Sequence, residues 1–388
     1  MELKNKNHVL ENGSYTELEI VRQPDLWTKL YSELLLIKPQ LSKFLNSFID
    51  NKDIRIILTG AGSSSFIGDV LLGIFSSRFK NAVYAVATTD LVTHPELFFN
   101  KHNKYLLISF ARSGNSPESS QAIILSEMLS KNVAHLIITC NSQSELIETV
   151  SSKNKFVFLL PPESNDKGLA MTASFTSMLL AGLLLSRINA DEKLDKQLDL
   201  LSRYAHRILN VYLKDIEKAA SKEFKRAVFL GSGLLKGIAR ESHLKLQELT
   251  DGKIICKYDS FMGFRHGPKA VIDEDTLIVY LFSNNHYANL YEKDLVATIA
   301  ESRKNLFSIG VMEEDINPAN VDLKILLSEN GRKIYEEFLP VISVLPAQLL
   351  GLFKSINLGL NPDNPSESGM ITRVVQGVNI YPYPNGKS

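Results

Sequence analysis

Hydrophobic and polar positions alternate in blocks along the chain and predict a regular order of strands and helices. The segment from Gln23 to Phe48 has apolar residues at helical spacing, and Pro24 suits a first helical turn. After it, short β-branched runs are separated by segments of helix length. The predicted strands of this first half are IRIILTG, AVYAVA, KYLLISF, AHLIITC and KFVFLL. This order is typical of an α/β fold, in which helices cover both faces of a parallel sheet.

The same pattern starts again in the second half of the chain. Residues 189–224 show no strand pattern and predict a long linking helix. The predicted strands that follow are AVFLGSG, KIICKY, TLIVYLFS and LFSIGV, and a last helix ends near Asn357. The stretches LTGAGSS and FLGSGLL hold the same place in each half, so the sequence predicts two copies of one α/β unit. The Pro-, Gly- and Asn-rich tail is expected to lie over the two units as an ordered loop with a frayed end.

The composition argues against a nucleic-acid-binding, membrane-spanning or disulfide-bonded protein. Lys plus Arg and Asp plus Glu both number 43, so no net charge favours nucleic acid or a membrane surface as a partner. The N-terminus has no apolar signal core, and the runs TSMLLAGLLL and VISVLPAQLLGLF are too short to span a bilayer and predict core helices. Cys140 and Cys256 each lie in an apolar strand-like run and are expected to be reduced thiols. These features predict a cytoplasmic protein.

Two loops rich in Gly and Ser follow predicted strands and are candidates for binding an anion. Residues 60–65 read Gly-Ala-Gly-Ser-Ser-Ser, and residues 111–116 read Ala-Arg-Ser-Gly-Asn-Ser. A loop between a strand and a helix N-terminus presents backbone N–H groups to a phosphate. Neither loop matches a dinucleotide fingerprint or a Walker A loop, so a small phosphomonoester fits better than a nucleotide. The alternative is that these serines only cap helices.

A polar stripe on one predicted helix is a candidate for acid–base chemistry. Glu241, Lys245 and Glu248 fall on one face, beside an apolar face of the same helix. The simplest interpretation is a surface ion pair. A carboxylate beside an apolar wall can instead have its pKa raised towards neutrality and serve as a base for a carbon-bound proton. His266, in the stretch SFMGFRHGPKA, is by itself more typical of a turn residue than of a catalyst.

Six motifs in order resemble the double sugar-isomerase (SIS) domain proteins of the AgaS type, and this similarity covers nearly the whole chain. The motifs are TGAGSSS, SFARSGNSPES, GLAMTASFT, LGSGLLKGIARESHLKLQELTDGK, FMGFRHGPKAVID and NPDNPSESGMITRVVQGV. The resemblance implies two tandem SIS domains, each a parallel-sheet αβα sandwich. The implied limits are an N-terminal helical segment at 1–35, a first SIS domain at 36–195, a linking helix at 196–225, a second SIS domain at 226–358 and a C-terminal tail near the active site at 359–388.

The resemblance also assigns expected roles to residues. Glu248 is the expected proton-transferring carboxylate with Lys245 beside it, and His266 is the expected ring-opening histidine, which in relatives comes from a neighbouring subunit. The expected phosphate- and substrate-binding residues are Gly62, Ser63, Ser64, Arg112, Ser113, Ser116, Leu169, Thr172, Glu241 and Arg373. Arg112 is expected either to contact the phosphate or to form a structural salt bridge.

The implied activity is conversion of galactosamine 6-phosphate to tagatose 6-phosphate and ammonia by a homodimer. One carboxylate serves both carbons in this chemistry, so we expect neither a metal nor a redox cofactor. The related glucosamine-6-phosphate synthase has an essential C-terminal lysine whose place falls near Thr372 and Arg373 here, which argues against amino transfer. Plain aldose–ketose isomerisation, a sugar-phosphate sensor without turnover, and a lyase or etherase on the same fold are the alternatives.

Overall fold

The computed structural model describes residues 14–130, 132–190, 192–302, 306–318, 321–329, 331, 333–375 and 377–384. The expectations for the extreme N-terminus and for a frayed end at residues 385–388 lie outside these ranges.

Two helices precede the first strand, as the apolar spacing predicts. Helix α1 spans Tyr15–Val21, and the side chain of Ser14 caps it by accepting a hydrogen bond from the Glu17 amide. Helix α2 spans Gln23–Ile49 and has its proline in the first turn. It runs without a break across the expected domain limit at residue 35. The domain limits stay a prediction.

The first sheet contains all five strands that the pattern predicts in this half. Its elements are β1 (Ile54–Thr59), α3 (Ser63–Arg78), β2 (Val83–Ala85), α4 (Thr88–Thr93), β3 (Lys104–Ala111), α5 (Pro117–Leu129), β4 (Asn132–Thr139), α6 (Glu145–Thr149), β5 (Lys155–Leu159) and α7 (Ala173–Ser186). The strands are parallel in the order β2-β1-β3-β4-β5. Apolar helices cover both faces of this sheet, which explains why its central strands are apolar along their whole length.

The linking segment is helical, as predicted, with one irregular turn. Helix α8 spans Asp195–Arg207, a π-type turn spans Ile208–Tyr212 and helix α9 spans Leu213–Ala220. The elements of the second half are β6 (Arg226–Gly231), α10 (Leu234–Leu249), β7 (Ile255–Asp259), α11 (Phe261–Phe264), β8 (Thr276–Leu281), α12 (His286–Ser302), β9 (Phe307–Met312), β10 (Leu323–Leu326), α13 (Leu339–Ser343) and α14 (Leu345–Asn357). The short edge strand β10 was missed because four residues are too few to show a strand period.

The second sheet repeats the topology of the first. Its parallel strands have the order β10-β9-β8-β6-β7, which, read from the other edge, matches the first sheet strand for strand. The turns after β1 and β6 are also alike, since Gly62 has φ +55° and ψ −130° and Gly233 has φ +54° and ψ −123°. These backbone angles favour glycine. The prediction of two tandem copies of one α/β unit is confirmed.

The two copies meet through α3 and α10, which follow equivalent strands and pack antiparallel. A Cβ atom on Gly237 of α10 would lie 2.6 Å from Val70 Cγ2 of α3, so this glycine allows the close approach. Towards the other end of α3, Gly73 faces Leu234 at the start of α10. On its other side α10 packs against α14, where a Cβ on Gly351 would lie 3.2 Å from the Lys245 carbonyl oxygen. Helix α10 is therefore packed between α3 of the first half and α14 of the second half.

The long apolar run at the end of the fold is a core element. The run from Glu336 to Asn357 has 22 residues, which is long enough to cross a membrane by length and composition, so the expectation that it is too short was wrong. Its apolar window is 94% buried inside the protein, as expected of a core helix. Cys140 and Cys256 are both free thiols, buried and partly buried respectively, and burial raises the pKa of Cys140 to about 12.

Candidate active site

The first Gly/Ser loop lies at the carboxyl end of β1 and leads directly into α3. A Cβ atom on Gly60 would lie 2.7 Å from the backbone of Ser64, so the turn is tight. Gly62 occupies the positive-φ position before the helix, and Ser63 and Ser64 form its first turn. Both serines are almost fully buried. Their backbone N–H groups are at the positive end of a 16-residue helix, where an anion is stabilised.

The second Gly/Ser loop lies beside the first, because β3 pairs with β1 in parallel register. Gly114 has φ +65°, and a Cβ there would collide with Ser144. The Asn141 side chain donates a 2.8 Å hydrogen bond to the carbonyl oxygen of Ser113 and so holds the loop. The Ser116 hydroxyl lies 2.6 Å from that of Ser119. The expected phosphate-binding residues of both loops are thus gathered at one edge of the first sheet.

The polar stripe of α10 faces this edge. The Lys245 Nζ atom lies 2.8 Å from Glu248 Oε2 and 3.2 Å from Glu241 Oε1. It also donates a 3.2 Å hydrogen bond to the Ser63 hydroxyl, which donates a 3.1 Å hydrogen bond to Glu241 Oε1. Lys245 and Glu241 are fully buried, whereas the Glu248 side chain is 24% exposed. The stripe is therefore not a surface ion pair, and Glu248 is its only member open to a ligand.

Burial sets the charge state of this cluster. It raises the pKa of Glu241 to about 7, and the nearby Glu248 adds to this effect while Lys245 opposes it. Burial alone would lower the pKa of Lys245, but Glu241 and Glu248 outweigh it and raise that pKa. Lys245 is therefore a stable ammonium that holds the Glu248 carboxylate in place.

Arg112 contacts backbone carbonyl groups. One of its terminal nitrogens donates a 3.1 Å hydrogen bond to the Leu169 carbonyl oxygen, and the other donates to the carbonyl oxygen of Arg373. The guanidinium is almost fully buried, and burial lowers its pKa. Arg112 thus ties the second loop to residues 168–169 and to the C-terminal segment. Its contact with phosphate stays a prediction.

Asp166 organises the segment around Leu169 and Thr172, and the sequence analysis missed it. Its fully buried carboxylate accepts hydrogen bonds of 2.8 and 3.1 Å from the Thr172 amide and hydroxyl. It also accepts from the amides of Ala173 and Ser174 and from the Ser174 hydroxyl, at 2.5 to 3.1 Å. An acidic residue shortly before the hydroxyl-rich start of an apolar helix was the available signal.

The C-terminal segment is bonded to this same region. The Arg373 side chain donates to the Asp166 carbonyl oxygen at 2.8 Å and to Asn165 Oδ1 at 2.9 Å. Asp363 accepts hydrogen bonds from the amides of Tyr15 and Thr16 at 2.9 and 2.8 Å, which joins the tail to the start of α1. The tail therefore lies near the predicted site as an ordered loop, and the Arg373 guanidinium is engaged by protein groups.

Glu19 on α1 completes this region and also escaped the sequence analysis. Its carboxylate accepts hydrogen bonds from the amides of Lys167 and Gly168 at 2.5 and 3.4 Å. The side chain is 2% exposed, and burial, followed by repulsion from Asp166, raises its pKa to about 7. A lone glutamate in a helix that starts near the chain terminus gives no sequence signal of burial.

His266 lies apart from Glu248 within one chain. Helix α10 packs on one face of the second sheet through Leu235 and Leu246, while Phe264 of α11, just before His266, packs on the other face. His266 is exposed, and its imidazole has no hydrogen-bond partner among the residues that the structure describes. A single chain therefore does not bring the two predicted catalytic side chains together.

Across the described part of the chain, no cluster of three or more His, Cys, Asp or Glu side chains is placed to hold a metal ion.

Comparisons with known proteins agree with this architecture. The SIS domain family model matches residues 48–186. The chain is 38% identical over 373 residues to the D-galactosamine-6-phosphate deaminase AgaS of Shewanella sp. (strain ANA-3), a match that covers 95% of this chain and 92% of that protein. It is 39% identical over 378 residues to the protein of the same name from Escherichia coli, with 96% of both chains covered. The crystal structure of tagatose-6-phosphate ketose/aldose isomerase from E. coli has a TM-score of 0.87 and 35% identity, over 98% of this chain and 99% of that one.

Proposed function

The chain belongs to the AgaS-type family of SIS-domain proteins, and we propose that it is a sugar-phosphate isomerase and deaminase that converts D-galactosamine 6-phosphate to D-tagatose 6-phosphate and ammonia. The observation that carries this proposal is the placement of Glu248, a carboxylate fixed by a buried lysine and open on one side, on a helix bonded to the first of the two candidate anion-binding loops. The deaminase activity is that named for the two relatives with 38% and 39% identity.

Substrate binding in this proposal starts at the phosphate. The Ser63 amide at the start of α3 and the hydroxyls of Ser64, Ser113 and Ser116 offer hydrogen-bond donors to its oxygens. The two loops are held by tight turns and side-chain hydrogen bonds, so little entropy is lost when they bind. A phosphate held there leaves the sugar carbons to extend towards α10.

Proton transfer follows ring opening. Glu248 removes the proton from C2, whose acidity the adjacent aldehyde raises, and the aldehyde oxygen gains a proton to give an enolamine. Glu248 then returns its proton to C1. Loss of a proton from the amino group on C2 gives a ketimine. Water adds to the ketimine and expels ammonia, which gives the ketose phosphate. Lys245 keeps the carboxylate on the side of C1 and C2 through both steps.

Ring opening requires a second acid–base group, for which we propose His266 of a neighbouring copy of the chain. Its position on the opposite face of the second sheet from α10 favours a contribution across a subunit interface. A homodimer with two shared sites is the simplest assembly that allows this exchange. We also propose a cytoplasmic location, which the free thiols Cys140 and Cys256 favour.

Plain aldose–ketose isomerisation is the second candidate, favoured by the activity named for the E. coli structure. Both reactions share the steps up to the enolic intermediate, so product analysis separates them. We propose incubating the protein with galactosamine 6-phosphate, glucosamine 6-phosphate and tagatose 6-phosphate, and measuring ammonia and ketose. Ammonia and ketose in equal amounts from galactosamine 6-phosphate are expected. Absence of ammonia from both amino sugars would contradict the deaminase proposal.

A further inference from the structure

The Ser63 hydroxyl lies between the candidate anion-binding loop at residues 60–65 and helix α10. Its hydrogen bonds show whether it is available to a phosphate or is bonded to the side chains of α10. A lysine ammonium has three N–H donors. Lys245 donates hydrogen bonds to Glu248 and Ser63, at 2.8 and 3.2 Å, and forms an ion pair with Glu241 at 3.2 Å. The hydroxyl hydrogen of Ser63 in turn goes to Glu241. The single hydroxyl hydrogen of Ser63 is therefore used within the protein.

A phosphate ligand needs donors, and the Ser63 hydroxyl has none left to offer. The neighbouring Ser64 differs in this respect. Its hydroxyl has a single weak contact in the described structure, to the Met171 sulfur at 3.9 Å. The two adjacent serines, both expected from the sequence to line the phosphate site, are thus chemically distinct.

The internal repeat shows whether packing of α3 on α10 requires the buried polar side chains. Counting from the equivalent glycines Gly60 and Gly231, Ser63 corresponds to Leu234 in the second copy. On the partner helix, Glu241 corresponds to Val70 and Lys245 to Ile74. The same helix contact is therefore made elsewhere in this chain by apolar side chains, all of them at least partly buried. Packing of α3 on α10 does not require the buried charged group.

We propose that Ser63 is a positioning residue of the proton-transfer machinery: it fixes the Lys245 ammonium, and through it the Glu248 carboxylate, and its hydroxyl does not bind the phosphate. This inference rests on the proposed function. This role explains why the buried Lys245 ammonium lies where the two halves meet. Because Ser63 on α3 holds Lys245 on α10, the distance between Glu248 and a phosphate bound at the start of α3 is fixed.

The test compares Ser63→Ala with Ser64→Ala, with Ser63→Thr as the rescue variant that keeps the hydroxyl. We expect Ser63→Ala to lower kcat for galactosamine 6-phosphate by about 10- to 100-fold with little change in KM, because the base loses its fixed position. Ser63→Thr should recover most of the rate. Ser64→Ala should mainly raise KM and weaken the binding of inorganic phosphate measured by calorimetry.

Weakened phosphate binding in Ser63→Ala, to the same extent as in Ser64→Ala and with kcat unchanged, would overturn the inference. A wild-type protein that releases no ammonia and forms no ketose would instead refute the proposed function. In that case the calorimetric comparison still decides whether the Ser63 hydroxyl binds phosphate, since intact phosphate binding in Ser63→Ala supports this part of the inference and lost binding contradicts it.

Discussion

The Lys245 ammonium lies 2.8 Å from a carboxylate oxygen of Glu248, and the two residues differ sharply in their access to solvent. Lys245 is fully buried, whereas about a quarter of the Glu248 side chain is exposed (24%). The carboxylate is thus held from the protein side and open on the other. This is the geometry that a base needs if it is to meet a bound substrate in one orientation.

The repeat suggests a variant that removes the charged group without harming the fold. We predict that Ser63→Leu, Glu241→Val and Lys245→Ile combined, which copy the second half, give a folded protein within about 2 kcal/mol of the wild-type free energy of unfolding, because well-packed apolar residues can replace a buried ion pair. The variant should show no turnover. Chemical denaturation and the ammonia assay provide the measurements.

Lys245→Ile alone is the control, since it leaves buried carboxylates without their partner. It should cost about 3 to 5 kcal/mol. A triple variant no more stable than this single one would mean that the fold does need the polar group.

Asp166 is predicted to stabilise the start of α7 and the segment before it. Asp166→Asn turns an amide N–H₂ towards groups that are themselves donors, so we expect a loss of about 3 kcal/mol in the free energy of unfolding. Asp25→Asn, at an exposed position in the first turn of α2, is the matched control and should change stability by less than about 1 kcal/mol. Equal losses in the free energy of unfolding for the two substitutions would contradict a stabilising role of the Asp166 hydrogen bonds.

The raised pKa of Glu19 predicts that the free energy of unfolding falls as pH rises. Its pKa rises from 4.5 in the unfolded chain to about 7 in the fold, so the folded state binds the extra proton between these values. The free energy of unfolding should therefore fall as pH rises through this window, by up to about 3 kcal/mol from this group. Glu19→Gln removes the contribution.

The measurement is the difference between wild type and Glu19→Gln in denaturant titrations from pH 5 to pH 8. Glu241 has a pKa shifted in the same direction, but it is present in both proteins and cancels in the difference. Parallel stability curves for the two proteins would refute the assignment.

The shared site predicts complementation between two inactive proteins. If Glu248 and His266 come from different subunits, a mixed dimer of Glu248→Gln and His266→Asn chains keeps one intact site. Subunits that mix at random should then recover about a quarter of wild-type activity. Unfolding and refolding the two variants together, with each refolded alone as control, provides the assay. No recovery in a preparation shown to contain mixed dimers would contradict a site shared between Glu248 of one subunit and His266 of the other.

The sequence pattern was enough to predict the first sheet and four of the five strands of the second, because buried parallel strands are apolar along their length and the helices between them are long. It also placed the Gly/Ser loops and the stripe of α10. It did not reveal that Ser63 bonds to Lys245, since this contact joins two halves far apart in the chain. Glu19 was missed because its partners are backbone amides, which leave no pattern in the sequence. Asp166 also bonds the hydroxyls of Thr172 and Ser174, so the acidic residue before the hydroxyl-rich start of α7 was a signal that could have been used.

The central claim is that Glu248 is the base that moves the C2 proton. The most direct test is exchange of deuterium from solvent into C2 of galactosamine 6-phosphate, followed by NMR for wild type and Glu248→Gln, with phosphate binding measured on both to show that the site is intact. A loss of exchange of about 10²- to 10⁴-fold with phosphate binding retained is the predicted result. Exchange that falls less than about 100-fold in Glu248→Gln would contradict it.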